Sequence, residues 1–263
     1  MLKIYLTGFI LMLLSLKLGA QHTFFPESGR ITYERKFHLK NYLKRTISNP
    51  IERDETISYM AEGIGESRLE QFITKHTLTF SGGESLYEAR MEDLSDEDRY
   101  ATFFSPIGLE AKTYMNNNTG RFARLLSFED EELLMEDSIP VIKWKYTDEY
   151  RDIAGYTCRR ANGLVQDSIY VVAFFTNQIA RTGGPELVQG LPGMILGLSV
   201  PAFNINMFAI KVELVNIPIS AQLTKSKKVV PQSLESTKKK LRTSVFSDME
   251  DADFQKQWSS VLF

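Results

Sequence analysis

The chain has 263 residues, 43% of them hydrophobic and 24% charged, with a formal net charge of −2. That composition belongs to a globular protein and excludes disordered and fibrous classes. The slightly acidic balance argues against a nucleic-acid partner. Cys158 is the one cysteine, so an internal disulfide is excluded too.

The first 20 residues read as a secretory signal peptide. Lys3 supplies the positive region, Ile4 to Leu18 the apolar run, and Leu18-Gly19-Ala20 a small-residue cleavage site before Gln21. The apolar run is shorter than the ~20 residues a membrane span needs, so the mature chain is expected to have no transmembrane span. No cysteine follows the cleavage site, which argues against a lipoprotein. Loss of Lys3 and Lys17 leaves 29 basic against 33 acidic residues.

Residues 21–218 read as a β-sheet domain. Gly29 to Leu39 alternates, with Ile31, Tyr33, Arg35 and Phe37 on one side, and predicts an opening strand with one buried face. A helix is expected over Ile51 to Ala61, after the Asn49-Pro50 break. Ser67 to Ser81 returns to strand chemistry and Gly82-Gly83 turns the chain. Asn116 to Gly120 predicts a hairpin turn. Phe122 to Met135 fits helix or strand. Ile139 to Lys145 alternates as a strand, Asp152 to Gly155 turns it back into Tyr156 to Ala161, and Gln166 to Ile179 is strongly apolar.

Arg181 to Pro201 holds five of the sixteen glycines and three of the nine prolines. Leu191-Pro192-Gly193 suits a type II turn, with positive φ at Gly193. Met194 to Val200 then predicts a buried strand, and Ala202 to Val215 another. Residues 219–263 form a charged C-terminal segment, with a short helix expected over Pro231 to Leu241. Trp258 to Phe263 either docks or stays loose.

The stretch Gly190-Leu191-Pro192-Gly193-Met194-Ile195 resembles the signature of the GLPGLI family of Bacteroidota envelope proteins, with Met194 where the family name has Leu. Ser85-Leu86-Tyr87, Trp144, Ile153 to Ala161, Ala173 to Thr176 and Gly184-Pro185 extend the resemblance over roughly residues 29 to 200. The family has no settled activity. The resemblance, with the leader, implies a periplasmic or outer-membrane-associated protein. The strand pattern predicts a mainly β fold: a single curved antiparallel sheet, a half-barrel, with one or two helices against its concave face. That shape is similar to periplasmic lipoprotein carriers of the Lol type.

Candidate chemistry is sparse. Cys158 reads as a buried thiol beside Tyr156, with a reactive or metal-binding thiol as the alternative. The carboxylate runs Glu92 to Asp98 and Glu129 to Asp137 lack the spacing of a calcium loop and read as solvated faces. Zinc-hydrolase, nucleophile-elbow and phosphate-loop motifs are missing, so no catalytic residue, metal or cofactor is assigned. The signature loop has two readings. It is a buried corner whose glycines let strands pack closely, or Leu187, Gly190, Leu191, Pro192, Gly193, Met194 and Leu196 form the mouth of a site for an apolar, lipid-like or peptide ligand. Lys225 to Arg242, with seven basic residues and one acidic, is a solvated tail or a contact for anionic lipid or an acidic partner. The leading expectation is a non-enzymatic envelope binding protein. An accessory subunit of an outer-membrane transport or assembly complex is the alternative.

Overall fold

The computed structural model describes residues 27–96, 98, 111–128, 131–221, 223, 229–244 and 246–263. The expected leader, parts of both carboxylate runs and residues 225–228 of the basic segment lie outside these residues.

Among the described residues eleven strands make one antiparallel sheet: β1 (Ser28–Phe37), β2 (Phe72–Ser81), β3 (Glu84–Ala89), β4 (Lys112–Asn116), β5 (Arg121–Phe128), β6 (Glu131–Ser138), β7 (Lys143–Ile153), β8 (Tyr156–Val165), β9 (Ile169–Thr176), β10 (Met194–Val200) and β11 (Ile205–Glu213). Their order across the sheet is β6-β5-β4-β3-β2-β1-β11-β10-β9-β8-β7. The chain therefore runs outward through six strands, starts again at the far edge, and returns inward through five. The β1–β11 pair joins the two meanders.

This topology forces curvature. The two edge strands β6 and β7 are consecutive, separated only by Ile139 to Ile142. Five peptide steps reach at most ~18 Å, whereas the edges of a flat eleven-stranded sheet stand ~48 Å apart. The sheet must bend until its edges approach, and it does so without closing. A mainly β, curved, open sheet is what the alternation pattern predicts.

Turn chemistry sets the hairpins where the sequence places them. Gly82 and Gly83 both have positive φ between β2 and β3, as a two-residue hairpin with matching twist requires. The stretch left open between helix and strand is β5 and β6. The strand expected from Ser67 begins only at Phe72, because Glu66–Glu70 form a short helix first.

Five helices occur among the described residues, more than the one or two expected: α1 (Leu39–Thr46), α2 (Pro50–Ile64), α3 (Glu66–Glu70), α4 (Leu234–Thr243) and α5 (Asp251–Ser260). Asn49 caps α2, its side chain accepting from the Ile51 and Glu52 amides, with Pro50 in the first turn. Ser233 caps α4 by accepting from the Ser236 amide. Leu241, Phe254, Trp258 and Val261 to Phe263 are buried in the same core as the strands. The end of the chain thus docks. Just ahead of α4, Gln232 bridges to Met135 on the outer edge of β6, its amide donating to the Leu134 carbonyl and its carbonyl accepting from the Glu136 amide, each at 2.9 Å. This covers part of one sheet edge.

The signature turn differs from its expected form. Gly193 lies outside the left-handed region, and the positive φ belongs to Gly190, at 94°. Gly193 is needed for a different reason: a Cβ there would lie 2.2 Å from the carbonyl oxygen of Thr176 on β9. Gly193→Ala is accordingly expected to lower the unfolding free energy by about 1–3 kcal/mol through overpacking. Urea denaturation checks this, and an unchanged midpoint would show that β9 gives way freely.

Candidate functional site

The buried face of the sheet carries an unusual row of polar side chains. Alternation puts Ile31, Tyr33, Arg35 and Phe37 of β1 on this face, and the antiparallel register continues it. Tyr33 lies opposite His76 and Arg35 opposite Thr74 on β2. On the next strands Tyr87 lies opposite Thr113, and Thr113 opposite Arg124. Tyr33, Arg35, His76, Tyr87, Thr113 and Arg124 are all at most 1% exposed.

These groups act on one another. His76 stacks on Tyr87 with ring centroids 5.2 Å apart, and Tyr33 meets Tyr87 edge-on at 6.1 Å. The His76 Nε2 and Thr74 Oγ1 atoms lie 2.9 Å apart. The Tyr33 hydroxyl donates to the Ile195 carbonyl at 2.6 Å, beside the irregularity where β10 slips against β9. Burial raises the Tyr33 and Tyr87 phenols well above their ordinary value. Burial, followed by the positive charges of Arg35 and Arg124, pushes His76 well below 6.5, so its imidazole is neutral at pH 7.

The carboxylate that meets this face comes from the loop between β9 and β10. Glu186, itself 1% exposed, pairs with the Arg124 guanidinium, which also donates to Thr113 Oγ1 at 2.5 Å. Burial raises the Glu186 pKa while Arg124 pulls it down, and the direct guanidinium contact favours the ionised form. The backbone at Glu186 is left-handed, with φ of 56°, an uncommon state for a residue with a Cβ.

The rest of the loop is tied on all sides. The Ile195 amide donates to Gly183 O, the Gly190 amide to Thr182 Oγ1, and Trp144 Nε1 to Gln189 O. Leu187, Leu191, Gly193, Met194 and Leu196 are buried, while Gly190 and Pro192 are exposed. The sequence-predicted site residues are therefore together, as a packed corner. Arg35, His76, Arg124 and Glu186 were not singled out from sequence. Their signal was an ion inside an apolar stripe: Arg35 in the β1 alternation, Arg124 between Phe122 and Leu126, and Glu186 as the one acidic residue from 181 to 201.

A separate groove of about 640 Å³ opens on the surface. Tyr42 and the Thr46–Asn49 connection after α1 form one wall, with Glu52 at the start of α2. Phe246 to Glu250, Asp253, Lys256 and Gln257 form the other. The Tyr42 hydroxyl bridges the walls by donating to Gln257 Oε1 at 2.5 Å, and burial pushes its pKa up to about 12. None of the signature residues lines this groove. Among the described residues no group of three potential metal-binding side chains occurs, and no helix is long and apolar enough to cross a membrane.

Cys158 is fully buried, its Sγ donating weakly to the Tyr156 carbonyl at 3.4 Å, and burial pushes its pKa up to about 12. A thiol so protonated is a poor nucleophile. A maleimide reagent at pH 7 should label it slowly in the folded protein and rapidly in guanidinium, and fast labelling of the folded form would refute the packed-thiol reading. His76 gives a pH prediction. The unfolded chain takes up a proton near pH 6.5 that the folded chain resists, so this stability is present above pH 6.5 and lost below it. The loss is about 1.4 kcal/mol per pH unit until the folded pKa is reached. Glu186, with its raised pKa, works in the opposite sense, so the readout is a difference. His76→Asn should flatten the fall in unfolding free energy between pH 6.5 and 5.5 relative to the parent, and parallel curves would count against a buried neutral histidine.

No family model matches the chain, and no curated protein does. Among solved structures, PNGF-II in the P21 space group is similar in fold, with a TM-score of 0.53 at 13% identity, covering 81% of this chain and 32% of that one. PNGF-II in the C2 space group gives 0.52 at 14% identity, with the same coverage. The chain thus spans about a third of the length of these proteins. At this identity the likeness is one of fold.

Proposed function

We propose that this chain is a non-enzymatic binding protein of the cell envelope, of the GLPGLI family, and that it takes a cationic, partly apolar peptide in the groove between its first helices and its C-terminal helix. The observation that carries this reading is the groove's chemistry. Tyr42, Ile47, Phe246 and Met249 supply apolar surface, while Glu52, Asp248, Glu250 and Asp253 supply four carboxylates against the single Lys256. Lys256 is itself paired with Asp253 at 2.8 Å. Apolar floor and anionic rim together suit a side-chain sequence that alternates lysine or arginine with leucine or phenylalanine. The leader-like Met1 to Ala20 and the signature motif support the compartment and the family. We place the ligand in the groove rather than at the signature loop because five of the seven signature residues are buried, with Gly190 and Pro192 exposed.

One feature favours the second reading, an accessory subunit of an outer-membrane complex. Among the described residues the edge strand β7 has β8 as its one strand neighbour, and it exposes Tyr146 and Tyr150. A free edge of this kind accepts a strand from a partner.

Calorimetric titration with a hexapeptide alternating lysine and leucine tests the first reading. Binding should weaken as salt rises from about 50 to about 500 mM. The pair Asp248→Asn and Glu250→Gln should reduce affinity about tenfold or more, equivalent to about 1.4 kcal/mol. Absence of binding, or binding indifferent to both changes, would remove the groove as the site. A stable complex trapped by crosslinks through β7 would then favour the accessory role.

A further inference from the structure

We propose that the outer face of the sheet at the start of β7 is a docking surface for an anionic lipid membrane, with Val141 as the side chain that enters the bilayer interface. The first observation is exposure. Val141 is 92% exposed, the highest value for a large hydrophobic side chain among the described residues, and Leu164 and Tyr170 are 45% and 42% exposed. These three belong to one patch. Burial alternates from 141 to 145: Ile142 is buried and Trp144 half-buried, while Val141, Lys143 and Lys145 are exposed. Val141, Lys143 and Lys145 therefore share the outer side. Lys143 lies opposite Leu164, and Leu164 opposite Tyr170, so one cross-strand row runs over β7, β8 and β9. Side chains directly opposite on neighbouring strands start about 5 Å apart and touch.

The second observation is that the patch is anchored from behind. Trp144 Nε1 donates to the Gln189 carbonyl at 3.0 Å. Ile142 and Trp144 both close on Gly163 of β8, where a Cβ would come within 2.8 Å of each. Val165, Ile169 and Val171, which face the interior from β8 and β9, are at most 5% exposed. The residues between the exposed ones are thus packed into the core, so the outward side chains are held out by the alternation itself. An apolar patch presented in this way, with a polar rim, marks an interaction surface.

The third observation is charge, and it selects the partner. The arginines of β8 are engaged, Arg159 with Asp148 and Arg160 with Glu149, whereas Lys143 and Lys145 form no ion pair among the described residues. Asp167, in the turn after β8, is the one acidic residue within 139–147 and 160–172. An aliphatic tip, a tyrosine and two free lysines match the layers of a lipid surface. The valine enters among acyl chains, the phenol sits at headgroup level, and the ammoniums reach lipid phosphates on flexible stems. A protein partner would need a pocket shaped for the protruding Val141, whereas acyl chains receive it without one. The surface lies on the sheet's outer face and is independent of any peptide in the groove.

Co-flotation with vesicles of phosphatidylethanolamine and phosphatidylglycerol in equal parts is the test, against vesicles of phosphatidylcholine alone. The chain beginning at Gln21 keeps every described residue and leaves out the apolar run Ile4 to Leu18, which would carry membrane affinity of its own. Wild-type protein should float with the anionic vesicles and not with the neutral ones, and added salt should weaken the binding. Lys143→Gln combined with Lys145→Gln should lower the affinity by roughly fivefold per lysine. Val141→Asp should abolish flotation with Tm unchanged, because the side chain it replaces is almost wholly in solvent. No flotation of wild type, flotation indifferent to lipid charge, or equal flotation of Val141→Asp and wild type would each overturn the proposal. So would self-association without vesicles that Val141→Asp abolishes, since the patch would then be a protein contact.

Discussion

The structure depends on one buried ion pair, Arg124 with Glu186. It joins the fifth strand to the loop before β10, 62 residues later in sequence, and both side chains are almost wholly removed from water. Two ions taken out of water recover that cost only with good geometry and further hydrogen bonds. Here Thr113 supplies one such bond, and the loop around Glu186 is anchored by Trp144, Thr182 and the β10 backbone. Loss of either partner of such a pair typically costs ~3–5 kcal/mol, because the other charge is stranded. The pair therefore specifies where the loop sits more than it adds net stability.

This constraint accounts for the motif that stands out in the sequence. The loop must lie flat against the strands, and its glycines are the positions where a side chain would collide. Gly184 meets the Val188 carbonyl and Ile195, while Gly193 meets the Thr176 backbone. The apolar residues between them, Leu187, Leu191, Met194 and Leu196, fill the space beneath. Met194 closes against Gly183, where a Cβ would come within 3.1 Å of its sulfur. A stretch rich in glycine is thus closely packed at Gly183, Gly184 and Gly193.

Curvature and the polar interior are linked. Bringing the outer strands β6 and β7 within a four-residue connection rolls the sheet, so side chains from distant strands converge on its buried side. Arg35 on β1 comes close enough to Arg124 on β5 for that second charge, after burial, to weaken its hold on its proton, and both act on His76 and Tyr87. On the outside, the helices after β1 and the C-terminal helix meet at the groove, where carboxylates collect around apolar residues. Interior and groove differ chemically: the first buries an arginine–glutamate pair beside a neutral histidine, and the second carries an acidic rim.

Much of the fold was legible in the sequence. Period-two alternation in β1, the Gly82-Gly83 pair of the β2–β3 hairpin, the Asn49-Pro50 helix start and the uncharged run into β10 are local signals, and each acts through neighbouring residues. Met194 to Val200 was placed to the residue. The helical turn before β2 was missed because five residues carry too short a period to read. The positive φ was assigned to Gly193 rather than Gly190, since turn chemistry cannot tell conformational need from steric need. Arg35 within an apolar stripe and Glu186 within an apolar loop were visible as exceptions, but nothing local says that they serve one cluster. The sequence by itself determined strands, turns and the apolar signature, because dihedral preference and hydrophobic period are properties of adjacent residues. Only the tertiary structure decided the company of Arg35, His76, Arg124 and Glu186, and the two walls of the groove, because a rolled sheet makes neighbours of residues whose separation in the chain exceeds any local period.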